Sequence, residues 1–176
     1  MLVWNEFREG FSFKDPILTL FSPVDMTWWT FIALYGAVIL TFHYLSSRPV
    51  RLMMGFQAYF FLLASRLISM SLLPLKAPET LIPLYDPFIS QLSQDIVLKH
   101  DLFFSGHFSV IVLLSFVVHD KRKKVVILAL AAIMAVCILL QHVHYSIDMF
   151  VAPFFSFATW KMITVFNART GFTPEE

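Results

Sequence analysis

The sequence predicts an all-α membrane protein, a polytopic helix bundle of five transmembrane spans preceded by an N-terminal interfacial segment. Three observations predict it. Hydrophobic residues make up 58% of the 176 and charged residues 14%, against about 45–50% and about 25% in soluble domains. Mean hydropathy is +0.72. Twenty Phe, four Trp and eight Met are more apolar bulk than one soluble core of this size buries. A soluble enzyme, a disordered chain and a coiled coil are excluded. Cys137 is the single cysteine, which excludes a disulfide-stapled domain. Thirteen basic residues against twelve acidic ones give no electrostatic footing for nucleic acid. The chain, 1–176, reads as one membrane domain.

The first element is a short apolar run, 16–21, flanked by Lys14-Asp15 and Ser22-Pro23. It is too short to span and lacks the basic start and small-residue cleavage site of a signal peptide. It reads as an interfacial segment leading into the boundary aromatics Trp28 and Trp29. A span needs about 20 mostly apolar residues, which places spans at about 27–46, 52–73, 102–119, 125–141 and 145–166. The last carries Pro153, which predicts a kink.

Five spans put the termini on opposite sides. One side holds Arg48, Arg51, Lys121, Arg122, Lys123, Lys124, Lys161 and Arg169; the other holds Arg8, Lys14, Lys76 and Lys99. The basic-rich side, with the run 121–124 read as a short loop, is expected to be cytoplasmic. The N-terminus and the 74–101 loop are then extracytoplasmic. Lys161 can snorkel and needs no functional role.

Ionisable groups inside spans are costly and are functional candidates by default. Arg66 falls about 10 Å below the outer end of the second span, and His107 about 8 Å below that of the third. His142, His144 and Asp148 fall between the fourth span and the fifth, again at the outer face. His144 and Asp148 are four apart, so on a helix they share a face and can hydrogen-bond. An imidazole held this way presents its other nitrogen as nucleophile or base. Ser105-Gly106-His107 stands near a helix N-terminus, where free N–H groups favour an anion. Gly106 permits close approach to the backbone, and Arg66 supplies the charge that phosphate recognition favours. Together these suit phosphoryl transfer. Taken singly, most of them have plainer readings. His43 and His119 read as interfacial polar residues, Arg66 alone as a packing or headgroup residue, and Ser105 alone as a helix-packing hydroxyl. A metal held by His142, His144 and Asp148 is the rival reading. Residues two apart on a helix point about 200° away from each other, so that clamp needs His142 outside the helix.

Ser105-Gly106-His107 followed by His144-Tyr145-Ser146-Ile147-Asp148 resembles the catalytic signature of the type-2 phosphatidic acid phosphatase superfamily. Within it, Arg66-Leu67-Ile68-Ser69-Met70 before Leu73-Pro74 resembles an Arg-x-x-Thr-Met and Leu-Pro motif of the sphingomyelin synthase-like branch. Asp101 before Ser105 and His142 before His144 match that branch too, and Lys14-Asp15-Pro16 is similar to its proline-rich first motif. The general phosphatases carry a Lys-to-Arg-Pro motif and a Ser-Arg pair upstream of the second histidine; here no such Lys-to-Arg-Pro arrangement precedes Ser105, and Cys137-Ile138 occupy the Ser-Arg positions. Val143 stands where the animal synthases usually have Asp between the two histidines, and the five spans expected here are one fewer than their six.

The resemblance implies a membrane lipid phosphotransferase that moves a phospho-headgroup from a glycerophospholipid donor to a lipid alcohol such as ceramide or diacylglycerol. His144 would be the nucleophile forming a phosphohistidine, Asp148 its partner and His107 the general acid and base. Arg66, Ser105, Gly106, His142, Tyr145 and Asp101 would bind substrate. No metal or other cofactor is implied, the partners are lipids in a membrane, and a homo-oligomer is left open. A lipid phosphatase or phospholipase C-like hydrolase of the same superfamily is the alternative, and a non-catalytic lipid-binding scaffold the second. The expected setting is a microbial plasma membrane, with the active site extracytoplasmic and the C-terminus cytoplasmic.

Overall fold

The structure is a computed structural model that describes residues 10–87 and 103–172. It is all-helical, a bundle of α1 (Thr27–Leu45), α2 (Pro49–Leu72), α3 (Gly106–Val117), α4 (Lys121–Leu140) and α5 (Ser146–Thr170), with a 3-10 turn at Leu18–Leu20 before them. Its β structure, among the described residues, is a single bridge between Phe11 and Leu75. Four helices, α1, α2, α4 and α5, are long and apolar enough to cross a membrane; α3, with 12 residues, is shorter.

Each helix starts and stops for a local reason. Proline at N1 opens α2 at 49 rather than 52, because its fixed φ suits the first turn and its missing N–H has no carbonyl to meet there. Asp120 caps α4 by accepting from the Lys123 N–H at 2.9 Å. The basic run 121–124 therefore forms the first turn of α4, not the loop expected from hydropathy. Gly171, in the left-handed conformation at φ 75°, stops α5. That helix runs on through Pro153.

The short helix is the central one. α3 packs against all four others, and Ile111, Val112, Leu113 and Val117 are buried in the two core clusters. Around it α1 packs on α4 and α2 on α5, whereas α1 and α2 meet only over a short stretch. Outward faces carry large apolar side chains, among them Trp28, Trp29, Ile39, Phe60, Phe150 and Phe154. That is what lipid-facing helices require, since lipid solvates apolar side chains and every backbone group is satisfied within its own helix. The expected third span, 102–119, shortens to 106–117 because the backbone turns at Phe104. Its φ of 39° lies in the left-handed region, incompatible with continuing a helix. The ring pins that turn, fully buried and stacked on Phe155 at 4.3 Å between centroids.

The N-terminal segment lies over the end of the bundle from which α3 and α5 start. The Val24 N–H donates to the Leu140 carbonyl at 2.8 Å, and Phe11 exchanges backbone hydrogen bonds with Pro74 and Lys76. Gln141, fully buried, ties three segments there. It accepts from the Met26 N–H at 3.2 Å, and its amide donates to Thr27 Oγ1 at 2.9 Å and to the Ile82 carbonyl at 3.3 Å.

Candidate active site

Two sharp turns present the two histidines. Phe104 precedes Ser105-Gly106-His107, and His142, with φ 55°, precedes His144. Non-glycine residues in this region cost energy and persist only where the surroundings over-determine them. Both have such surroundings. Phe104 is held by its ring stack, and His142 by Thr80 Oγ1 at 2.6 Å from its Nδ1 and by the edge of Phe21.

At the second turn, His144 and Asp148 are buried, and His144 Nδ1 lies 3.5 Å from Asp148 Oδ2. His144 stands just before the N-cap Tyr145, whose extended backbone turns it back over Asp148 at the N3 position of α5. The same Oδ2 accepts from the Tyr145 N–H at 3.2 Å, which fixes the carboxylate. Asp148 Oδ1 has no hydrogen-bond partner among the described residues. The start of α5 is in turn anchored by Asp15, 131 residues away in sequence, whose Oδ2 accepts from the Ser146 N–H at 2.6 Å and hydroxyl at 2.7 Å. Burial pushes the Asp15 carboxyl up, but the hydrogen bonds from Ser146 and Ile17 outweigh it, and its pKa lies below the usual value. Asp15 therefore stays ionised at neutral pH and sets negative charge against a helix N-terminus, where it is stabilising.

At the first turn, the Arg66 guanidinium lies directly on Gly106. A Cβ on Gly106 would meet Arg66 Cζ at 2.6 Å. Ser105 is fully buried at the N-cap, and its Oγ has no hydrogen-bond partner among the described residues. A guanidinium, an unsatisfied hydroxyl and the free N–H groups of a helix start, gathered at one glycine, form an anion cradle. We expect Gly106→Ala to displace Arg66 and lower turnover by about 10²–10³-fold, the usual cost of losing one donor to a developing charge. The check is steady-state kinetics on folded variant, compared with Arg66→Ala. If the cradle is the site, the two losses are similar and not additive.

Arg66, Gly106 and His107 open together onto a cavity of about 480 Å³ between α1, α2 and α3. His107 is half-buried there, with its ring edge-on to Phe31. His144 and Asp148 lie at the start of α5 and do not line the cavity. His142 and Tyr145 are placed elsewhere. The Tyr145 hydroxyl donates to the Lys76 carbonyl at 2.9 Å while its ring stacks on Phe13, so both ends are engaged within the fold. Burial lowers the His142 pKa, against a smaller opposing effect of Asp15, so this ring is neutral at pH 7. Asp101 lies outside the described residues. Sequence reasoning missed the Asp15 anchor, Gln141, and a Tyr35–Asp86 hydrogen bond of 2.7 Å at the cavity mouth. Lys14-Asp15-Pro16 is similar to a family motif, but nothing local in the sequence ties it to Ser146. Among the described residues, no group of three or more His, Cys, Asp or Glu side chains is arranged to hold a metal ion.

Neither a curated protein nor a solved structure matches the chain. Residues 100–165 do match a family model, described as PAP2 superfamily C-terminal. That stretch, which carries Ser105, Gly106, His107, His144 and Asp148, is similar to the C-terminal part of that superfamily.

Proposed function

We propose that this protein is a lipid phosphotransferase of the sphingomyelin synthase-like kind, acting on a phosphodiester lipid. The observation that carries the reading is the buried His144–Asp148 pair at 3.5 Å, combined with the anion cradle of Arg66, Ser105 and Gly106. Asp148 faces Nδ1 of His144, which leaves Nε2 as the attacking atom. In the first step an Nε2–phosphorus bond forms and the bond from phosphorus to the diacylglycerol oxygen breaks. His107 gives that oxygen its proton. In the second step His107 takes the proton of a lipid alcohol, whose oxygen displaces His144 from phosphorus. Asp148 stabilises the imidazolium, and the cradle neutralises charge on the non-bridging oxygens.

No Lys-to-Arg-Pro motif precedes Ser105, and Cys137-Ile138 stand where a Ser-Arg pair would, which favours a singly charged phosphodiester over a phosphomonoester. Purified protein given labelled phosphodiester lipid and ceramide or diacylglycerol is expected to move label onto the acceptor, and faster than it hydrolyses phosphatidic acid. Rapid release of inorganic phosphate from phosphatidic acid would instead establish the phosphatase. No turnover of any lipid would leave the scaffold reading standing.

The site is proposed to face outward from a microbial plasma membrane, on the basic-residue asymmetry. A cysteine at Glu79 is expected to react with an impermeant reagent outside intact cells, and one at Lys121 only after permeabilisation. The reverse pattern would place the site in the cytoplasm.

A further inference from the structure

The cavity is polar at one end and apolar along its length. Arg66, Asp86, His107 and Tyr35 are its titratable groups near the site, and the wall beyond them is built mainly of residues such as Val38, Leu62, Val110 and Leu113. Its deepest lining residues are Leu45 of α1, Leu52 of α2 and Val117 of α3, and a Cβ on Gly55, one turn above Leu52, would fall 3.4 Å from a Val117 methyl. The depth follows from two helices independently. Arg66 to Gly55 along α2 and Gly106 to Val117 along α3 are each eleven residues apart, or about 17 Å at the helical rise. One leaflet of a bilayer core of about 30 Å is about 15 Å deep. A volume of about 480 Å³ lies within the about 300–1,000 Å³ of ligand sites. Between α1 and α2, which meet over only a short stretch, the lining residues Phe42, Phe56, Tyr59 and Leu63 are exposed.

We propose that this cavity houses one acyl chain of the lipid alcohol, with the inner end around Gly55, Leu52 and Val117 setting the chain length accepted. The proposal rests on the phosphotransferase reading and deepens it. The occupant is assigned by which histidine lines the space. His107 does, and His144 does not. The chain in the cavity therefore belongs to the molecule whose oxygen His107 protonates in the first step and deprotonates in the second. Leaving diacylglycerol and incoming acceptor occupy the cavity in turn, entering from the bilayer between α1 and α2. A headgroup alone would leave the apolar shaft empty.

The test uses the full-length protein and a long-chain diacylglycerol carrying a terminal diazirine. On illumination, adducts are expected on α2 and α3 around Gly55 and Val117, and excess unlabelled diacylglycerol suppresses them. Two variants fill the shaft from opposite walls, Gly55→Leu and Val38→Phe. Each is expected to abolish those adducts and to lower kcat/KM for a long-chain acceptor by at least about tenfold, the usual effect of a methylene with no room in an apolar pocket. Both should leave a short-chain acceptor unaffected, which also shows that the variants are folded. Unchanged chain-length preference in both variants, equal losses with short and long chains, or adducts confined to the outer faces would overturn the proposal. Competable adducts at Gly55 in a protein that transfers no phosphate would uphold the chain site and defeat the reaction assigned to it. Transfer without those adducts would do the opposite.

Discussion

Replacing His144 with alanine is expected to reduce phosphotransfer to background, a loss of about four or more orders of magnitude, as for groups that act as a unit. In the proposed mechanism this side chain supplies the atom that bonds to phosphorus. Stability should change little by comparison. His144 is buried, but its Nδ1 serves Asp148, and that carboxylate keeps its second donor, the Tyr145 N–H. Circular dichroism and thermal unfolding in detergent would separate the two effects. A variant that unfolds would report structure, whereas a folded and inactive one reports chemistry.

Asp148→Asn is the second large effect. One carboxylate oxygen, Oδ2, serves both His144 Nδ1 and the Tyr145 N–H, while Oδ1 has no partner among the described residues. The asparagine can therefore keep its carbonyl at the Oδ2 position and its amide at the Oδ1 position. Geometry and tautomer survive, and only the negative charge is lost. The expected fall in kcat is on the order of 10²–10⁴-fold, with KM little changed, because the charge matters when His144 becomes cationic and not when lipid binds. A raised KM with kcat preserved would mean that Asp148 binds substrate instead.

The bundle was readable from composition because lipid-facing helices are apolar all round, so hydropathy alone finds them. It misplaced the ends where capping chemistry outweighs hydropathy. Pro49 and Asp120 each start a helix within stretches that a window of apolar residues discards, and the basic run 121–124 looks like a loop until Asp120 is recognised as its cap. The turn at Phe104 had no sequence signal, since a phenylalanine at positive φ is held by Phe155, a contact made only in the fold.

Within the site, the four-residue spacing pointed to the contact of His144 with Asp148, although His144 stands before the helix and not on its face, and the convergence of Arg66 with Gly106 was legible from depth along two helices. The distant contacts were not legible. Asp15 reaches Ser146 across 131 residues, and Gln141 looks like an ordinary helix end. Tyr145 sits inside the motif, yet its ring packs on Phe13 and its hydroxyl is used by Lys76. A motif records which residue types recur together, and packing decides which of them turn toward the ligand.

The central claim is covalent catalysis by His144, and trapping the intermediate tests it most directly. A labelled nitrophenyl phosphodiester has a leaving group that needs no proton, so His107→Ala should still form the phosphoenzyme while its second step slows. Acid-labile label is expected on His144 in His107→Ala protein, and none in His144→Ala protein. Label on His107 in the His144 variant, or no phosphoenzyme in any variant while transfer proceeds, would contradict the account.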